Sequence, residues 1–212
     1  MHHALDVWSQ AWHLVLDQSG RARLHDTRAA LNSIALGLEV LRHDDGAAGQ
    51  AMPVEAPRVL AIMHRDLHAA ADQLTGLHAL VTSAGSADLA RLGAAVEWAD
   101  LVTRPVARRC GVALHVPAAG DLPALPVDRH FALGVAVALI EGVLAAPRGG
   151  ACALHLAANP RALAITWPAG TAEEGASPPI GPRVLDLILG RRDRQSRDAG
   201  HRVLTIELPR PS

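Results

Sequence analysis

Leu24, Leu31 and Leu38 recur every seven residues, and Ile34 and Leu41 follow the last two of them by three. Alternating steps of three and four put apolar side chains on one stripe of a helix, the a/d pattern of a coiled coil or helical bundle. The pattern predicts a helix over residues 5–41, with Ser19-Gly20 as a candidate break. Trp8, Trp12, Val15 and Leu16 form an apolar stripe ahead of that point. The stretch Asp44–Pro57 holds Gly46, Gly49, Pro53 and Pro57 and reads as a loop. Beyond it, Met63, Leu67, Ala70, Leu74, Leu77 and Val81 again alternate steps of four and three, predicting a second helix that ends over Thr82–Ser86. Two such helices make an antiparallel hairpin with more apolar surface than they cover for each other. The expected solution is a homodimer, two hairpins closing a four-helix bundle.

After Ser86 the pattern changes. Ala87–Arg109 is helical in composition and is punctuated by Pro105; Val112–Val116 is a short strand between Gly111 and Pro117. A turn-rich stretch, Pro117–Pro126, leads to a strongly apolar helix at Phe131–Ala146. Ala151–Ala157 and Ala162–Trp167 read as two strands around Asn159-Pro160. A Gly/Pro/Ser-rich loop over Pro168–Pro182, a helix starting at Val184–Leu189 and a final strand at Arg202–Leu208 complete the chain. The fold class is therefore α+β: a helical hairpin over residues 1–86, then a two-layer α/β sandwich over residues 87–212.

Composition narrows the function. The 212 residues suit one large or two small domains. Half are apolar, yet there are only four Trp, one Phe and no Tyr; alanine and leucine fill the gap and favour helix. A net charge of -1 gives no global electrostatic case for nucleic acid. No apolar run approaches the roughly 20 residues of a membrane span. Residues 1–20 lack a basic region followed by an apolar stretch, so no signal peptide is expected. Cys110 and Cys152 lack metal-site spacing and read as buried thiols of a cytoplasmic protein.

The chemistry concentrates in Leu24-His25-Asp26-Thr27-Arg28-Ala29-Ala30-Leu31-Asn32. His25 follows a seam position, so a rigid helix holds it while a partner can reach it. A neutral imidazole nitrogen is a good nucleophile near pH 7. The segment resembles the phospho-acceptor box of sensor histidine kinases, His-Asp/Glu-x-Arg-x-Pro-Leu. His25, Asp26, Arg28, Ala29, Leu31 and Asn32 match its common forms, and Ala30 stands where the proline usually does. The resemblance implies that His25 carries a phosphoryl group and that Asp26 serves as base or hydrogen-bond acceptor. Arg28, one turn on, meets phosphate oxygens or an acidic partner; its alternative is a solvated bundle charge, as that of Asp26 is an exposed helical acid. Ala29 occupies a position where many bifunctional kinases carry a polar residue that orients water, which implies weak phosphatase activity.

The element order of the second half also resembles the ATP-binding domain of that family, but its nucleotide groups are missing. The magnesium-ligating asparagine falls at Glu141, or one turn earlier at Val137. The Asp-x-Gly-x-Gly position falls near Trp167-Pro168-Ala169-Gly170, without an aspartate. Gly181-Pro182-Arg183 and Gly190-Arg191 offer no phosphate loop, and Gly149-Gly150 is a turn. The combination is similar to phosphotransferases that look like histidine kinases and no longer bind nucleotide. It implies no cofactor of this chain's own and no ATP, with magnesium supplied by the partner. It further implies response-regulator receiver domains as partners and an upstream histidine kinase acting indirectly. A non-catalytic pseudokinase scaffold that dimerises and binds a response regulator is the alternative, and an active sensor-type kinase the third reading. His64, His68 and Asp72 have the i, i+4, i+8 spacing of a zinc face. With 12 histidines such pairs arise by chance, so a solvated face with no metal is expected. Arg191, Arg192, Arg194, Arg197 and Arg202 read as a solvated helix end or a docking patch for an acidic partner.

Overall fold

The computed structural model describes residues 2–44, 55–82, 90–157, 162–168, 193–198 and 201–208. Helix α1 runs over His2–Asp44 and α2 over Ala56–Thr82. α3 spans Leu92–Cys110, β1 Ala113–His115 and α4 Arg129–Ala145. Then follow β2 (Ala151–Leu156), β3 (Ala162–Pro168), β4 (Asp193–Asp198) and β5 (His201–Glu207). The fold is α+β, as expected. The chain divides into two compact units, Gly20–Val81 and Met1–Ser19 together with Thr82–Ser212. The first nineteen residues thus group with the α/β unit, whereas the sequence reading joined them to the hairpin.

α1 does not break at Ser19-Gly20. One glycine costs a helix only about 1 kcal/mol, and no proline is present to remove a ladder bond. In the hairpin unit, Arg23, Thr27, Ala30, Ile34, Gly37 and Leu41 of α1 are buried or half-buried, again in steps of four and three. So are Val59, Met63, Asp66, Ala70, Gln73, Leu77 and Leu80 of α2. Gly37 is small for a reason: a Cβ there would lie 2.7 Å from Cγ and 2.8 Å from Sδ of Met63.

The seam therefore differs from the sequence reading. On α2 the predicted single row splits in two. Met63, Ala70 and Leu77 line the hairpin's interior, while Leu67, Leu74 and Val81 are exposed, as is Leu60. On α1, Leu24, Leu31 and Leu38 are exposed as well. Each chain thus carries two seven-residue apolar rows that the hairpin itself does not cover. In an antiparallel pair of right-handed helices, these two rows fall on the same side of the plane through both axes.

In the other unit α3 continues through Pro105 to Cys110. Gly111 closes it with φ 68°, its N–H reaching the carbonyls of Ala107 and Arg108, a left-handed cap that a side chain would strain. Trp98 of α3 meets Trp12 edge-on at 5.7 Å between ring centroids, and Arg109 Nη2 donates to Gln18 Oε1 at 3.1 Å. These contacts are why residues ahead of Gly20 belong to this unit.

The α4 N-cap is Asp128, whose carboxylate accepts from the Phe131 N–H at 2.7 Å. Every residue from Phe131 to Val143 is buried, because α3 packs on one side of α4 and β2 and β3 on another. Gly142 permits the close approach: a Cβ there would sit 2.9 Å from Cys152 Sγ and 3.3 Å from Trp167 Cε3.

The sheet order is β1-β2-β3-β5-β4, with β1 parallel to β2 and the other pairs antiparallel. The basic stretch read as a helix end is instead an edge strand, β4, with Arg194 and Arg197 on it and Arg202 on its neighbour β5. An edge strand that is polar throughout carries no alternation to reveal it, and charge on an edge discourages pairing with other chains. Arg191, Arg192, the loop over 169–182 and the helix at Val184–Leu189 lie outside the described residues.

Candidate functional site

His25 stands on α1 with 74% of its side chain exposed. Its Nδ1 lies 3.6 Å from Oδ1 of Asp26, whose side chain is half-buried. With Nδ1 turned toward the carboxylate, a proton held there leaves the Nε2 lone pair free to react. Arg28 is also exposed on α1, three residues on. The three predicted residues therefore share little more than one helical turn. Ala30 leaves the backbone ladder of that turn uninterrupted, which a proline would not.

Behind this turn lies a polar cluster that the sequence reading missed. Arg23 is 4% exposed, and its Nη1 donates to Gln73 Oε1 of α2 at 3.3 Å. Thr27 Oγ1 donates to the Arg23 carbonyl at 2.9 Å. Gly76 makes room: a Cβ at that position would fall on the Arg23 guanidinium. A buried charge needs hydrogen-bonding partners, and Gln73 supplies one from the facing helix. Arg23 shares the seven-residue row of Ala30 and Gly37, a signal that could have marked it as inward-facing. Ten residues along α1 from Arg23, Ser33 hydrogen-bonds Asp66 of α2. That bond first, and then the one from Arg65, hold the Asp66 carboxyl below its usual range.

Two of the positions where the family's nucleotide groups would fall are enclosed. Glu141 is 5% exposed within the enclosed helix α4, and Trp167 is buried on β3. Ala169, Gly170, Gly181, Pro182, Arg183, Gly190 and Arg191 lie outside the described residues. Among the described residues no three His, Cys, Asp or Glu side chains converge as a metal site. His64 and His68, by contrast, are brought into contact on α2, and Asp72 does not join them as a third ligand.

No protein-family model matches the sequence, and no curated protein does. Among solved structures, a bacterial phosphotransferase is 16% identical, covering 90% of this chain and 94% of that one at a TM-score of 0.48. The histidine kinase AdeS of Acinetobacter baumannii is 14% identical, covering 87% of this chain and 96% of that one at a TM-score of 0.38. A histidine kinase from Burkholderia phymatum is 14% identical, covering 88% and 96% at a TM-score of 0.41. The solved structures to which this chain is similar thus include a phosphotransferase and histidine kinases.

Proposed function

We propose that this protein is a histidine phosphotransferase of a two-component phosphorelay. It passes a phosphoryl group between receiver-domain aspartates through His25, without ATP. The observation that carries the reading is the placement of His25, exposed on a rigid helix with Nδ1 facing Asp26. In the transfer, the Nε2 lone pair attacks the phosphorus of an aspartyl phosphate. The P–O bond to the aspartate breaks, and its electron pair returns to that carboxylate. The Nδ1 proton stays directed at Asp26, which offsets the positive charge that develops on the ring. The reverse sequence delivers the group to a second receiver. Positioning and electrostatics are most of what phosphoryl transfer requires, and the receiver brings its own magnesium. Arg28 supplies a cation for the phosphate oxygens or for the receiver's acidic surface.

Dimerisation belongs to the same reading. The rows Leu24/Leu31/Leu38 and Leu60/Leu67/Leu74/Val81 are exposed, share one side of the hairpin and keep the seven-residue spacing that a second hairpin would match. A second copy of this chain is the occupant that closes them into a four-helix bundle.

The test is incubation with phosphorylated receiver domains, reading acid-labile label on this chain. His25→Ala should abolish the label and leave the oligomeric state unchanged. Asp26→Asn should slow transfer by roughly ten- to a thousandfold, the scale of acid–base assistance. Label on another histidine, or full transfer by His25→Ala, overturns the assignment. A receiver that binds tightly and never labels the protein replaces it with the scaffold reading.

A further inference from the structure

We propose that His64 and His68 form a two-point chelate for a borderline divalent transition metal, with Zn²⁺ as the reference ion. The two residues are one turn apart on α2, and both side chains are exposed. Their rings meet edge-on, with centroids 4.4 Å apart and planes at 76°. Their Nε2 atoms converge to 3.2 Å. Two ring nitrogens at that separation must share one proton or one electrophile, because two N–H groups or two bare lone pairs would repel.

The spacing suits a metal. Zinc holds imidazole nitrogen at about 2.0–2.1 Å, and at a tetrahedral angle two such nitrogens lie about 3.3 Å apart. The pair is therefore set close to the bite that the ion needs, and a regular helix keeps it there. Preorganisation of this kind removes part of the ordering cost of binding.

Ligand type sets the choice of ion. Imidazole suits zinc, cobalt, nickel and copper, whereas magnesium and calcium prefer oxygen. The site is thus distinct in chemistry from the magnesium of phosphoryl transfer. Among the described residues no third ligand joins, so water fills the remaining positions and the site is open. The metal would clip one turn of α2 and stabilise the folded hairpin by mass action.

The experiment is calorimetric titration of the full chain with ZnCl₂, CoCl₂ and MgCl₂, alongside cobalt absorption spectra. Zinc and cobalt should show a component of one ion per chain that magnesium lacks. That component should disappear in His64→Ala and equally in His68→Ala, since each removes one arm of the chelate. It should persist in His25→Ala and in His78→Ala. Circular dichroism should confirm that the substituted chains remain helical. Absence of the component in the native protein overturns the proposal. So does its survival in both single variants, or an equal response to magnesium.

Discussion

The double substitution Leu31→Ala/Leu38→Ala separates packing within one hairpin from packing between two. Leu31 is 53% and Leu38 55% exposed in the single chain. Fully burying a leucine is worth about 1.5–3 kcal/mol relative to leaving it exposed, so about half of that, roughly 1 kcal/mol each, is left for a partner to collect. A two-fold interface meets every substitution twice. The double variant should therefore lose about 4 kcal/mol of association energy, about a thousandfold in Kd. The hairpin itself should persist, because alanine is the better helix former and neither leucine belongs to the internal row. Sedimentation equilibrium over a range of concentrations measures the effect, with circular dichroism as the check on helicity. Leu36→Ala is the control: Leu36 is 63% exposed, but it lies off the two seven-residue rows. A native chain that stays monomeric at micromolar concentration refutes the reasoning. So does a double variant that associates like the native protein, or a control that weakens it equally.

Mg-ATP should leave the melting temperature unchanged in a thermal-shift series, because a ligand that does not bind adds no stability; a clear upward shift at sub-millimolar nucleotide would make Glu141 the residue to test. Gly142→Ala should lower the urea midpoint, since overpacking against Cys152 and Trp167 costs about 1–3 kcal/mol and helix propensity returns only about 1. Burial pushes the Cys152 thiol from 9.0 up to about 12, so near pH 8 a thiol reagent should label Cys110 first and reach Cys152 only on unfolding. The stability tied to that neutral thiol is complete below pH 9 and lost as pH rises toward 12, which denaturation midpoints across alkaline pH would reveal.

The hairpin was legible because seven-residue spacing survives in the sequence wherever a helix has an apolar stripe. What spacing alone does not show is which partner each row meets. Leu67 and Met63 are both apolar, yet one is exposed and the other lines the interior; the difference is about 40° around the helix and depends on where α1 lies. Arg23 escaped notice for the opposite reason, since a charged side chain at an inward position looks like surface until Gly76 and Gln73 are placed beside it. The enclosed helix α4 and strands β1, β2, β3 and β5 were readable from apolar runs between turn residues. β4 was not, because its residues are polar on both faces and its pairing with β5 is a backbone matter. At the site, His25, Asp26 and Arg28 were legible because their chemistry lies within one local segment. The closeness of His64 and His68 was foreshadowed by an i, i+4 spacing, but not the convergence of their Nε2 atoms.

The proposed dimer also bears on how the protein would reach its working state, because its apolar rows are covered only once two chains have met. Each hairpin can form within its own chain, on the microsecond scale of local helix formation. Closing the leucine rows then requires an encounter, so the last step is second order and slows on dilution. A chain newly made or diluted from denaturant passes through an interval in which those rows face water. In that interval any other exposed apolar row competes for them. The leucines that would complete the proposed dimer are thus also its point of exposure during assembly.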